Sequence, residues 1–252
     1  MRVPPKSPAA RALAPRPVPH SLPPILSFVA GYIDSVTFIA LFGLFVAQAT
    51  GSFVVAGAQL AARDGSVIVK ILAIPVFLLG AAVTTLLAYW IGERRSALGW
   101  ALILEGTLIA AFSACALVGP LGNPNAPMSL AASIFALSAM GVQSALVRLL
   151  MSGVASTNVM TTNTTLIGID AAELLIAWQR SRGARKESAA AEKFQAARRD
   201  FSKLLAIALG FLIGAGAGAL AYQSFGAGCL LAPVATIFAL SAWAFAAHPR
   251  RG

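Results

Sequence analysis

Charge is what this chain has least of, and that scarcity decides its class. Only 11% of its 252 residues are Asp, Glu, Lys or Arg, and nine of those are acids. A soluble domain carries about a quarter of its residues as charges, because it has a surface to hydrate. Histidine is confined to His20 and His248, near the two ends. Imidazole acid–base chemistry or metal ligation within the apolar segments is therefore excluded. Cys115 and Cys229 stand alone, outside any zinc or redox spacing, and read as packing residues. There is no phosphate-binding Walker loop, no HExxH and no GxSxG, so the chain reads as a non-enzyme that calls for no cofactor or metal.

Apolar residues make up 58% of the sequence, and the mean hydropathy is +0.79. They fall in continuous runs close to the length of about 20 residues that spans a bilayer as a helix. Alternating segments of about 10 residues, the mark of a membrane β-barrel, are missing. The fold class is an all-α polytopic membrane protein. Its net charge of +10 lies mostly in tails and loops. The orientation rule accounts for it there, with no nucleic-acid partner needed.

Residues 1–24 hold eight of the fourteen prolines and read as a disordered cytoplasmic tail. Six spans follow, at about 25–46, 70–91, 98–118, 129–150, 203–222 and 231–247. The first and fourth each meet a polar interruption and then a short apolar helix, at 52–62 and 163–178. The run from Ile25 to Ala62 is 38 residues, about 57 Å as one straight helix. That is too long for a single crossing, so a break at Gln48, Ala49, Thr50, Gly51 and Ser52 is expected. A second break occupies 152–163. Residues 179–203 are the most basic segment, and the Ala, Glu, Lys and Arg composition of 184–202 predicts a helix on the membrane surface, with Phe194 and Phe201 facing lipid and the cations facing anionic headgroups. Placing the tails, Glu93-Arg94-Arg95 and 179–203 in the cytoplasm leaves Arg63, Asp64 and Lys70 outside, with two uncharged loops. This count lets both short helices dip in and return. If both cross instead, there are eight spans, and Glu93-Arg94-Arg95 lies outside.

The two halves match. Gly31 to Gly43 has the same spacing as Gly141 to Gly153, Thr50-Gly51-Ser52 corresponds to Thr161-Thr162-Asn163, and Phe77 to Gly80 corresponds to Phe211 to Gly214. The organisation is a first membrane repeat at 25–118, an external loop at 119–128, a second repeat at 129–247 and a tail at 248–252. Three spans per repeat make it an inverted one, a class whose site lies between the interrupted helices near the bilayer midplane.

Backbone freed by a break in lipid needs partners. Thr50 or Ser52 is expected to cap the first short helix, and Thr161, Thr162 or Asn163 the second. Their positive ends suit an anion or a carboxylate. Asp34, about 14 Å into span one, is a candidate for proton or cation binding, or for pairing with Arg148. Glu105 is a candidate member of a buried network. Gln48, Gln143 and Asn158 add hydrogen-bonding groups near the breaks, and Asp170 and Glu173 read as a wet face.

Gly31-Tyr32-Ile33-Asp34, Phe45-Val46, Thr50-Gly51-Ser52 and Gly141-Val142-Gln143-Ser144-Ala145 together resemble the YoaK family of bacterial membrane proteins, a domain-of-unknown-function family. The resemblance covers about 25–247. Ser35, Ala49, Ser52 and Ser144 stand where the family pattern has Ala, Met, Asn and Asn. It implies a bacterial cytoplasmic-membrane location and no particular substrate. Two functions remain open: a secondary transporter or channel-like permease for a small polar or anionic solute, coupled to protons through Asp34, and a scaffold or sensor acting through 179–203.

Overall fold

The computed structural model describes residues 19–61, 67–91, 97–119, 121–151, 160–183 and 188–246. Among them every regular element is a helix: α1 (Leu22–Ala40), α2 (Gly51–Ala61), α3 (Val67–Ile71), α4 (Ala73–Ile91), α5 (Ala97–Val118), α6 (Pro127–Leu150), α7 (Met160–Gly183) and α8 (Ser188–Phe225), then a 3-10 turn (Gly226–Leu230) and α9 (Leu231–Ala246). Among the described residues five helical stretches are long and apolar enough to cross a membrane: Leu22–Ala40, Val69–Ile91, Ala97–Val118, Pro127–Leu150 and Phe194–Ala246. The last contains most of α8, the 3-10 turn and α9. Leu78, Leu79, Leu86 and Trp90 on α4, with Leu212, Ile213 and Leu220 on α8, are exposed outward, as lipid-facing side chains are.

Two tight crossings build the bundle, and glycine makes both possible. A Cβ on Gly31 would lie 2.2 Å from the Phe211 carbonyl oxygen, and one on Gly214 2.0 Å from that of Phe28. In the other crossing the same distances are 2.2 Å from Gly141 to Phe77 and 2.4 Å from Gly80 to Ser138. No side chain fits there, so the backbones themselves touch, as small-residue interfaces in membranes allow. Gly210, Gly214 and Gly218 meet the carbonyls of Pro24, Phe28 and Tyr32 in that order, so α1 and α8 run parallel. Side-chain bonds to distant backbone secure the remaining helices. Ser27 Oγ donates to the Ile207 carbonyl at 2.8 Å, Tyr32 Oη to Cys229 at 2.9 Å, and Ser241 Oγ to Gly99 at 3.0 Å.

Several boundaries differ from the sequence expectations. Pro23 and Pro24 belong to α1, not to the tail: they occupy its first turn, where a missing N–H costs nothing. The first helix stops at Ala40, six residues short of the expected 46. Phe42 and Gly43 take left-handed conformations, with φ of 58° and 76°, and the Gly43 N–H closes on the Phe38 carbonyl at 2.9 Å. A left-handed pair of this kind terminates a helix wherever apolar composition would let it run on. The second short helix is longer than 163–178, covering Met160–Gly183. The surface helix expected over 184–202 does not stand apart from the fifth span, because Ser188–Phe225 is one helix of 38 residues. Neither Gly nor Pro separates Lys203 from Leu204, so nothing breaks the turn. Its last apolar stretch is about 33 Å, a full bilayer core, and its charged first half extends about 24 Å further. The tail to residue 18, Arg63-Asp64, Glu93-Arg94-Arg95, most of the second break (152–159) and the C-terminal tail lie outside the described residues.

Candidate functional site: the break after the first helix

The site is built on the non-helical stretch 41–50. Leaving α1, the chain turns back along it. Asp34 Oδ1 accepts from the backbone N–H groups of Val46 at 2.7 Å and Ala47 at 2.8 Å, and the Gln48 N–H also bonds this carboxylate. Asp34 precedes the end of α1 by six residues, so residues 46–48 have returned about 9 Å along the helix. An irregular backbone at that depth survives only if its polar groups are satisfied. The buried Asp34 carboxylate satisfies three consecutive donors at once, a charge-assisted arrangement stronger than neutral bonds.

Ser52 secures the other side. Its Oγ accepts from the Phe45 N–H at 3.1 Å and donates to the Phe45 carbonyl at 2.9 Å. It therefore does not cap the short helix as expected. Gly51 starts α2, and its first N–H groups are taken by the turn before it: Gly51 to Gln48 at 2.7 Å, Ser52 to Ala49 at 3.2 Å and Phe53 to Thr50 at 3.2 Å. Thr50 is exposed and Gln48 half-buried, so both present polar side chains at the surface of the break. Lys70 extends the network to the next span. It is buried, and its Nζ donates to Gln59 Oε1, while Gln59 Nε2 reaches the Phe42 carbonyl at 3.4 Å. The sequence expectation placed Lys70 outside the membrane and gave Gln59 no role. A signal exists, since Gln59 is the one amide within α2.

The other site residues fall into three groups. Gln143 joins the halves: its Nε2 donates to the Leu26 carbonyl on α1 at 2.8 Å. Arg148 is exposed and makes no ion pair with Asp34, contrary to the pairing considered from sequence. It projects from the last turn of α6, while the Asp34 carboxylate is taken by backbone donors. Thr161, Thr162 and Asn163 lie inside the first turn of α7 and do not precede it as caps; the two threonines are exposed and Asn163 is buried. Asn158 lies outside the described residues. Glu105 is fully buried, but it belongs to no network: neither carboxylate oxygen has a hydrogen-bond partner among the described residues.

These observations define a class, a polytopic helical membrane protein with an ordered break after its first helix. The family described as "Protein of unknown function (DUF1275)" matches residues 23–243. The chain belongs to that family, as the resemblance implied. It matches no curated protein and no solved structure.

Proposed function

We propose that this protein is a secondary transporter or channel-like permease of the bacterial cytoplasmic membrane for a small polar solute, with an anion the best fit. One observation carries the reading. The chain commits a buried carboxylate and a buried hydroxyl to keeping residues 41–50 non-helical, although a plain apolar helix would cost less in lipid. Gln48, Thr50 and Gly51 line the path on this side. Asp34 positions the break, and Ser52 pins it. α2, about 16 Å long, is re-entrant, because the return along α1 brings its start to membrane depth. Thr161, Thr162 and Asn163, with Gln143, form the corresponding side of the second half.

The inverted repeat is part of the proposal, and the equivalent crossings support it. Gly31 meets Phe211 as Gly141 meets Phe77, and Gly214 meets Phe28 as Gly80 meets Ser138. Each half thus lends its first helix to the second helix of the other, with α9 as the sixth span. Such an exchange gives two similar bodies that can rock about the Gly contacts. Both termini face the cytoplasm. The test is flux into proteoliposomes across a panel of small anions and neutral polar solutes. Flux well above empty vesicles that is blocked by Thr50→Trp, with the fold intact, is the expected result. A folded protein that accelerates none of the panel contradicts the reading.

A scaffold or sensor is the alternative, and one feature favours it. Arg198, Arg199 and Lys203 are exposed on a helix that continues out of the bilayer, available to anionic headgroups or to an acidic partner. Binding that follows this segment in the absence of any flux would select it.

A further inference from the structure

Glu105 is used by none of the above. It sits about 12 Å into α5 from Ala97, close to the middle of a helix about 33 Å long. Its side chain is 0% exposed, and both oxygens lack a partner among the described residues. Ser113 Oγ on α5 and Ser129 Oγ in the first turn of α6 are also buried without partners, but Ser113 lies eight residues, about 12 Å, along the helix from Glu105, which leaves the carboxyl on its own. The two helices pack directly against each other, and Gly106 lets α5 close on Ile237 and Phe238 of α9. A buried carboxyl with neither oxygen partnered is rare in native proteins and marks a place where a water or ion belongs.

The surroundings decide the sign of that ion. Of the elements packed on α5, α9 has no charged or titratable residue. α4 has Tyr89, which is exposed, the 3-10 turn has Cys229, and α6 has Arg148, which is exposed. α5 itself adds Cys115. No cation of the chain reaches Glu105 from these elements. An unpaired carboxylate in such a place is costly, so its partner has to bring positive charge. Among the described residues no three His, Cys, Asp or Glu side chains gather, which argues against a divalent metal. We infer that Glu105 is a binding site for a monovalent cation, a proton or Na+, inside the helical bundle. Its use as the coupling site rests on the permease reading; its occupancy does not.

The test is labelling of the full-length protein in detergent with dicyclohexylcarbodiimide, which attacks protonated carboxyls in apolar surroundings, read peptide by peptide by mass spectrometry. Glu105 is expected to label, with Asp34 lower by about tenfold because backbone donors already occupy its carboxylate. Labelling of Glu105 falls as pH is raised if the proton is the ligand. If Na+ is, it also falls at constant pH when NaCl replaces choline chloride, and either outcome supports the site. Glu105→Gln removes the label. A folded protein in which Glu105 does not label, or labels independently of pH and Na+, overturns the inference. Cation-sensitive labelling without flux would sink the permease and leave the site; flux with insensitive labelling would do the reverse.

Discussion

Asp34 and Glu105 are the same functional group in two different situations. Both are buried in apolar helices, and at the level of sequence both are intramembrane acids that invite a functional reading. One is engaged by the backbone of a loop that folds back onto it. The other has no hydrogen-bond partner among the described residues. Burial alone therefore does not mark the working carboxyl. What separates an anchor from a binding group is whether the fold has already occupied it.

Stability separates them most sharply. Asp34→Leu strands the N–H groups of Val46 and Ala47 and is expected to cost about 3–5 kcal/mol, seen as a collapse of the melting temperature in detergent. Asp34→Asn keeps an acceptor oxygen and should lose about 1–2 kcal/mol. Glu105→Leu should be neutral or stabilising, since it removes a buried group that has no hydrogen-bond partner among the described residues. A Glu105→Leu protein less stable than Asp34→Leu would reverse the comparison.

The glycine crossings come next. Gly214→Ala must displace the Phe28 backbone and should cost about 2 kcal/mol. Gly216, two residues on, faces open space, with no atom within 4 Å of where a Cβ would sit. Gly216→Ala should therefore gain up to about 1 kcal/mol from helix propensity. Gly80→Ala should match Gly214→Ala if the two crossings are equivalent. Smaller still, Ser52→Ala removes both bonds to Phe45 and should cost about 1 kcal/mol. Arg148→Ala, exposed and unpaired with Asp34, should stay within about 0.5 kcal/mol.

Composition makes the helical membrane class legible, and length makes the first break legible: a mostly apolar run of 38 residues cannot form one span. The position of that break is not legible, because Phe42 is an ordinary apolar residue whose left-handed turn is set by tertiary contacts and the glycine after it. Asp34, Gln48, Thr50, Gly51 and Ser52 are readable as belonging to the first break, but their partners are invisible in the sequence. Nothing in one sequence says that Asp34 meets residues 46–48 and not Arg148, since that depends on the chain reversing. The Gly210, Gly214, Gly218 spacing on α8 is readable as a packing stripe, although the match of Phe211 to Phe77 draws attention away from it. The separation expected between 179–203 and the fifth span fails because a change from charged to apolar composition ends a membrane segment but not a helix.

The most direct measurement is coupled flux in proteoliposomes for wild type, Asp34→Asn and Glu105→Gln, each shown to be folded. If Asp34 holds the break and Glu105 binds the cation, Asp34→Asn retains coupled flux, while Glu105→Gln loses its dependence on a proton or Na+ gradient. Coupling abolished by Asp34→Asn and unchanged in Glu105→Gln would contradict the account.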